Sequence, residues 1–142
     1  MTHLIRRLNE NDYNSYLVLI NEFRKTNFTK DQFIKTLESI NKNSEIWVIE
    51  KDNELIATGT IIYEEKFIFN ISKVGHIEDI CVKEKFRMNN FGKIIVNYLI
   101  EQARINKCYK VVLECGEQNI IFYTKCGFEQ RGVQMSQLCE KI

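Results

Sequence analysis

Gly75-His76-Ile77-Glu78-Asp79-Ile80-Cys81-Val82 leads through residues 83–86 into Arg87-Met88-Asn89-Asn90-Phe91-Gly92-Lys93. The first part reads as a strand, the middle as a loop, and the end as the start of a helix. The first N–H groups of a helix have no acceptor within it, and the helix dipole adds partial positive charge there. Such an end attracts anions. Arg87 and Lys93 add further positive charge. The segment reads either as a cradle for a pyrophosphate or as a charged loop capped by its asparagines.

Downstream, Ile94, Ile95, Tyr98, Leu99 and Gln102 mark a long helix over about residues 90–106. Residues 110–115 form a compact apolar strand. A parallel pair joined by a right-handed helical crossover is therefore expected over residues 74–115. In such sheets ligands sit beyond the carboxyl ends of the strands. Residues 119–125 read as a short helix stopped at Cys126-Gly127, where glycine suits a left-handed C′ position. Residues 128–138 are expected to supply one or two last strands.

Upstream, residues 3–8 read as a first strand and Asn9 as the N-cap of a helix striped by Tyr13, Tyr16, Leu17, Ile20 and Phe23. Thr29 and Gln32 form a capping-box pattern before a second helix carrying Phe33, Leu37 and Ile40. Residues 45–50 and 55–63 are β-branched runs around a polar turn at residues 51–54, a hairpin. Phe67-Ile68-Phe69 then precedes the strand at residues 74–82. The order is β-α-α-β-β-β-α-β-α-β, a mixed α/β class. With no repeat, linker or composition break, residues 1–142 read as one domain.

Composition narrows the function. A 44% hydrophobic and 27% charged chain of 142 residues is not mainly disordered. A net charge of +1 gives no electrostatic reason to expect a nucleic-acid or membrane partner. No apolar run approaches the ~20 residues that span a bilayer, and residues 1–7 do not read as a secretory signal. Five cysteines, an odd count with no C-x-x-C pair, read as reduced and mostly buried thiols of a cytoplasmic protein. The two histidines, His3 and His76, lack further ligands at metal spacing, so no metal site is expected. There is no proline to slow folding by isomerisation.

Arg87-x-x-Asn90-x-Gly92, after a strand ending in Val82, resembles motif A of the GNAT acetyltransferase superfamily. A closer likeness lies in Gly75 to Ile80, Cys108-Tyr109-Lys110, Glu114-Cys115, Asn119, Phe122-Tyr123-x-Lys125-Cys126-Gly127-Phe128 and Gly132-Val133-Gln134-Met135. These blocks are similar to the glucosamine 6-phosphate N-acetyltransferase family. Ala57-Thr58-Gly59-Thr60 and Leu4-x-Arg6-x-Leu8 extend the match to nearly the whole chain. The family usually has glycine where this chain has Met88 and Asn90, which implies an altered diphosphate contact at a retained site.

The resemblance implies a GNAT fold, a mixed sheet splayed around acetyl-CoA with flanking helices. It implies acetyl transfer to the amine of D-glucosamine 6-phosphate by direct attack, on the way to UDP-N-acetylglucosamine. Tyr123 is then the residue facing the CoA thiolate, with Asp79 and Glu114 as further catalytic candidates. Coenzyme contacts fall on Ile80, Cys81, Val82, Arg87, Met88, Asn89, Asn90, Phe91, Gly92 and Lys93, and on Asn119, Phe122, Tyr123 and Lys125. Sugar-phosphate contacts fall on Asn27, Lys66, Phe67, Ile68, Phe69, Glu78, Asp79, Tyr109, Lys110 and Glu114. Tyr109 and Lys110 can serve a neighbouring subunit in the family, so a homodimer is implied. Glu78 and Asp79, adjacent on a strand, face one ligand only if a bulge intervenes. Two alternatives stay open: a GNAT enzyme for another amine, such as a polyamine or peptide, and a non-catalytic acyl-CoA-binding regulator.

Overall fold

The computed structural model describes residues 2–142; Met1 lies outside it. Its strands are β1 (Leu4–Arg7), β2 (Ser44–Lys51), β3 (Glu54–Lys66), β4 (Ser72–Val82) and β5 (Lys110–Val112). The helices are α1 (Tyr13–Phe23), α2 (Lys30–Ile40), α3 (Phe91–Ile105) and α4 (Ile120–Lys125). The strands lie in sequence order in one sheet, antiparallel except for the β4–β5 pair. Among the described residues no helix is long and apolar enough to cross a membrane.

Local signals explain the boundaries. Asn9 and Asp12 exchange a capping box over a single 3-10 turn before α1, and Thr29 and Gln32 do the same at α2. Each box satisfies N–H groups that a helix start leaves free. Asp52 and Asn53, at φ +52° and +62°, turn the β2–β3 hairpin. Two left-handed residues match the twist of the flanking strands there. Gly127 takes φ +96° after α4, as its C′ position requires.

Each face of the sheet buries a different layer. Leu19 of α1 and Phe33 and Leu37 of α2 pack on Ile46, Val48 and Cys81. On the other face Ile95, Val96, Leu99 and Ala103 of α3 pack on Ile49, Ala57, Ile61 and Ile77. Gly59 lies beneath α3, where an added Cβ would come within 2.8 Å of Ile80 Cδ1 and Leu99 Cδ1.

Two expectations fail. Residues 128–138 form no strand; beyond Lys125 the chain has neither helix nor strand. Val133, Met135 and Leu138 in this segment are 80–92% exposed, because nothing within the chain pairs with it. β5 ends at Val112 rather than residue 115, since its pairing with β4 stops at His76–Val112.

The main irregularity lies in β4. Thr58 pairs with Cys81 and Thr60 with Glu78, so one residue of β3 faces two of β4. Asp79, at φ +55°, is the extra residue of a bulge. Ile77 and Ile80 both pack on the α3 side although three residues apart, and Cys81 packs on the α1 side. In a regular strand residues 77 and 80 would face opposite layers.

Candidate active site

β4 runs on to Val82 after β5 has parted from it, so a stretch of its edge is unpaired on that side. Lys83 donates its N–H to the Ile56 carbonyl at 2.8 Å. Alternation along an antiparallel strand then turns the Val82 N–H to the open edge. The Val82 carbonyl accepts from Arg87 Nε at 3.1 Å, which folds the loop back on the strand end. α3 starts directly above. The Ile94 N–H bonds to the Asn90 carbonyl (2.9 Å), and no side chain caps the helix start. The N–H groups of Phe91, Gly92 and Lys93 are thus free for an anion. A Cβ at Gly92 would lie 3.2 Å from Phe122 Cζ, so glycine lets α4 pack against this end of α3. Arg87, Asn89 and Lys93 are exposed around it.

The bulge gathers acids at the same parting of the strands. Partial shielding from water pushes the Glu78 carboxyl up, and its neighbours Asp79 and Glu114 add to the effect, against a smaller opposing pull from His76. Like charges close together resist simultaneous ionisation. Tyr16 of α1 reaches the group from above the sheet. Burial, then the charges of Asp79 and Cys81, raise its phenol to about 12. Tyr16 carries no motif; the sequence offered only its place on a helical stripe, and the fold brings it to residues more than sixty positions away.

On the other side of the gap α4 presents Tyr123. Its ring is wedged edge-on between Phe122 (centroids 4.9 Å) and Phe128 (6.0 Å). Among the described residues its hydroxyl has no hydrogen-bond partner, and burial is the chief cause that raises its pKa above the ordinary 10.0. The phenol is therefore a held, protonated donor free to serve a bound group. Asn119 and Lys125 are exposed at the two ends of α4. Among the described residues no group of three or more His, Cys, Asp or Glu side chains is arranged to hold a metal.

The Acetyltransferase (GNAT) family model matches residues 3–128. The chain belongs to the GNAT acetyltransferase family. Within that family it is 39% identical to glucosamine 6-phosphate N-acetyltransferase 1 of Dictyostelium discoideum, over 92% of this chain and 87% of the relative. It is 35% identical to the Arabidopsis thaliana glucosamine 6-phosphate N-acetyltransferase, over 96% of both chains. The crystal structure of the Arabidopsis thaliana enzyme superposes with a TM-score of 0.93 at 34% identity, covering 99% of this chain and 100% of that one. The GNAT fold expected from the motifs, with its mixed sheet and flanking helices, is therefore present.

The family pattern also explains the loop. Met88 and Asn90 stand where GNAT sequences usually carry glycine, and both take left-handed backbone, φ +70° and +66°. Asparagine tolerates that region; methionine pays a steric penalty of about 1–2 kcal/mol. The Met88 side chain is fully exposed and returns no packing. Met88→Gly is expected to raise Tm by about 2 °C, since the relieved clash exceeds the extra flexibility that glycine gives the unfolded chain. Thermal unfolding followed by circular dichroism checks it; a lower Tm contradicts the strain.

Not all candidate residues meet. Lys66, Phe67, Ile68 and Phe69 lie at the β3–β4 turn, and Tyr109 and Lys110 beside the start of β4. Asp79 is seven residues further along β4 than Ser72, about 23 Å at the usual rise of a strand. Lys66 is itself engaged, donating to Glu64 (3.2 Å), which also contacts His76 (2.9 Å). Asn27 is exposed in the α1–α2 connection. One copy of the chain thus joins the coenzyme-type loop to Glu78, Asp79, Glu114 and Tyr123, but not to Lys66–Phe69 or Tyr109–Lys110.

Proposed function

We propose that this chain is a glucosamine 6-phosphate N-acetyltransferase, passing acetyl from acetyl-CoA to the amine of D-glucosamine 6-phosphate. The observation that carries the reading is the bulge at Asp79. It sets two carboxylates at the parting of the strands, between an anion-ready helix end and a tyrosine with a free hydroxyl. Likeness to enzymes of that name over more than nine-tenths of the chain supports the choice of acceptor.

In this reading the coenzyme diphosphate lies on the N–H groups of residues 91–93, with Arg87 and Lys93 adding charge and Met88, Asn89 and Asn90 shaping the turn. The open edge from Ile80 through Cys81 to Val82 takes the pantetheine arm, and a free N–H there supports the oxyanion as it forms. Asn119, Phe122 and Lys125 flank the thioester. The acids Glu78, Asp79 and Glu114 hold the sugar ammonium, and one of them accepts its proton directly or through water. The freed amine nitrogen bonds to the thioester carbon and the C–S bond breaks; the Tyr123 hydroxyl hydrogen-bonds the departing thiolate, which ends as the CoA thiol with the second proton that the nitrogen sheds. No covalent enzyme intermediate is needed; Cys115 and Cys126 take no part.

The active form is read as a homodimer. The 129–142 segment has apolar side chains with no cover, and Lys66, Phe67, Ile68, Phe69, Tyr109 and Lys110 stand too far from Asp79 to serve their own site. A second copy resolves both, lending its cations to the sugar phosphate. All five cysteines are unpaired, which suits a reducing cytoplasm, although only Cys81 is buried where most of the thiols were expected to be. The acetylated sugar phosphate would feed the synthesis of UDP-N-acetylglucosamine.

The acid cluster would also suit a polyamine, so the test compares acceptors. Free-CoA release is measured with glucosamine 6-phosphate, glucosamine, spermidine and a lysine peptide at equal concentrations. Glucosamine 6-phosphate is expected to exceed the others by at least about tenfold, the value of one good charge contact. Preference for spermidine overturns the acceptor, and acetyl-CoA binding without release in any arm favours a non-catalytic binder.

A further inference from the structure

The loop that carries the strained turn is held at its root by two carboxylates from elsewhere in the fold. Glu22, on the last turn of α1, accepts the Glu84 N–H at 2.8 Å. Glu54, the first residue of β3, takes the Lys83 ammonium on one oxygen and the Lys85 ammonium on the other, the latter at 3.3 Å. Lys83 is only 9% exposed, so its charge depends on that partner. The Lys83 bond, opposed by shielding from water and helped by Lys85, holds the Glu54 carboxyl below the ordinary 4.5 and keeps it ionised at neutral pH.

These anchors reach the helix start through Phe86. The N–H groups of Phe86 and Arg87 donate to the Lys83 and Glu84 carbonyls at 2.9 and 3.1 Å, which closes the root into a single 3-10 turn. Lys85 lies over the Phe86 ring at 5.3 Å, and that ring stands edge-on to Phe91, with centroids 6.1 Å apart. Phe91 opens α3 and is 8% exposed. Between the two rings the chain passes through the left-handed Met88 and Asn90. Strained backbone of that kind persists only where its surroundings fix it. Among the described residues neither carboxylate bonds to residues 87–93.

We infer that Glu22 and Glu54 are positioning residues for the coenzyme: they fix the root of the loop so that the N–H groups of residues 91–93 stand ready for a diphosphate. The inference rests on the coenzyme half of the proposed function and is indifferent to the acceptor. Its sign is opposite to that of simple electrostatics. Removing a carboxylate beside an anion site strengthens anion binding by charge alone, the more so where two lysines are freed. Removing an anchor lets the loop leave its place, and the apparent Kd rises by the inverse of the fraction of time it stays.

Acetyl-CoA is titrated calorimetrically into the full chain and its variants, beside steady-state kinetics with whichever acceptor releases CoA fastest. Circular dichroism checks that each variant is folded. If Glu54→Ala leaves the loop in place about one time in ten, Kd and KM for acetyl-CoA rise about tenfold while kcat stays within about twofold. Glu22→Ala, a change at an exposed residue, is expected to raise both about threefold. Glu22→Gln keeps an acceptor for the Glu84 N–H and is expected to restore them. If Glu54→Ala does not fold, the Glu22 pair decides. Unchanged or tighter binding in either folded alanine variant, a fall in kcat as large as the rise in KM, or Glu22→Gln as weak as Glu22→Ala each overturn the inference. A wild type that gives no heat with acetyl-CoA sinks the coenzyme reading instead, and amide hydrogen exchange then decides the anchoring. The N–H groups of Phe86 and Arg87 are expected to exchange about threefold faster in Glu22→Ala than in wild type or Glu22→Gln, and equal rates overturn it.

Discussion

Tyr123→Phe is expected to lower kcat about 100-fold while leaving the Kd for acetyl-CoA within about twofold. Phenylalanine keeps the ring wedged between Phe122 and Phe128 and removes only the hydroxyl. That hydroxyl has no other partner among the described residues, so its loss leaves no buried acceptor stranded. The effect falls on the step in which charge gathers on the departing sulfur, not on the ground state. Burial holds the phenol protonated above the ordinary tyrosine range, so the donor stays available through neutral and mildly alkaline pH. Steady-state kinetics beside calorimetric titration with acetyl-CoA make the measurement. Unchanged kcat would remove Tyr123 from the chemistry; equal losses in kcat and affinity would make it a packing residue.

Arg6→Ala is expected to destabilise the fold by about 3 kcal/mol. Arg6 grips Asp12 with two nitrogens, both at 2.8 Å, and Glu50 at 2.7 and 3.0 Å. Asp12 is only 7% exposed and also accepts the Asn9 N–H at 2.8 Å, closing the capping box before α1. Without Arg6 a carboxylate stays buried with most of its compensation gone. Burial alone would raise the Asp12 carboxyl, but the Arg6 and Asn9 bonds outweigh it and leave it below the ordinary 3.8. A folded-state value below the unfolded one gives stability that is present above pH 4 and lost as pH falls through the folded value. Urea unfolding at pH 7 and pH 3 tests both parts. The wild type should lose more stability than Arg6→Ala over that interval, and parallel losses would mean that the bidentate pair does not set the acid sensitivity.

The segment from residue 75 to residue 93 was legible because strand, loop and helix start each carry local chemistry there. The capping boxes at Asn9 and Thr29 were legible for the same reason. What the letters lacked was geometry that depends on partners. A bulge at Asp79 was expected from resemblance alone; only the pairing with β3 shows that Asp79 is the residue pushed out. Residues 128–138 were expected to form one or two strands, yet a strand needs a neighbour, and none exists within the chain. Lys66 and Tyr109 were grouped with Asp79 by motif, but the length of β4 keeps them apart. Tyr16 went unnoticed because its importance arises only when α1 is laid across the sheet.

The bulge makes the length of β4 matter more than its lettering at residue 79. Losing that one codon would leave Ile77 and Ile80 two residues apart, so an even pleat would keep both of them on the α3 layer. The core would be kept, while the kink in β4 and one of its two neighbouring carboxylates would be gone. The added residue thus answers to the open edge of the sheet and not to the packing beneath it.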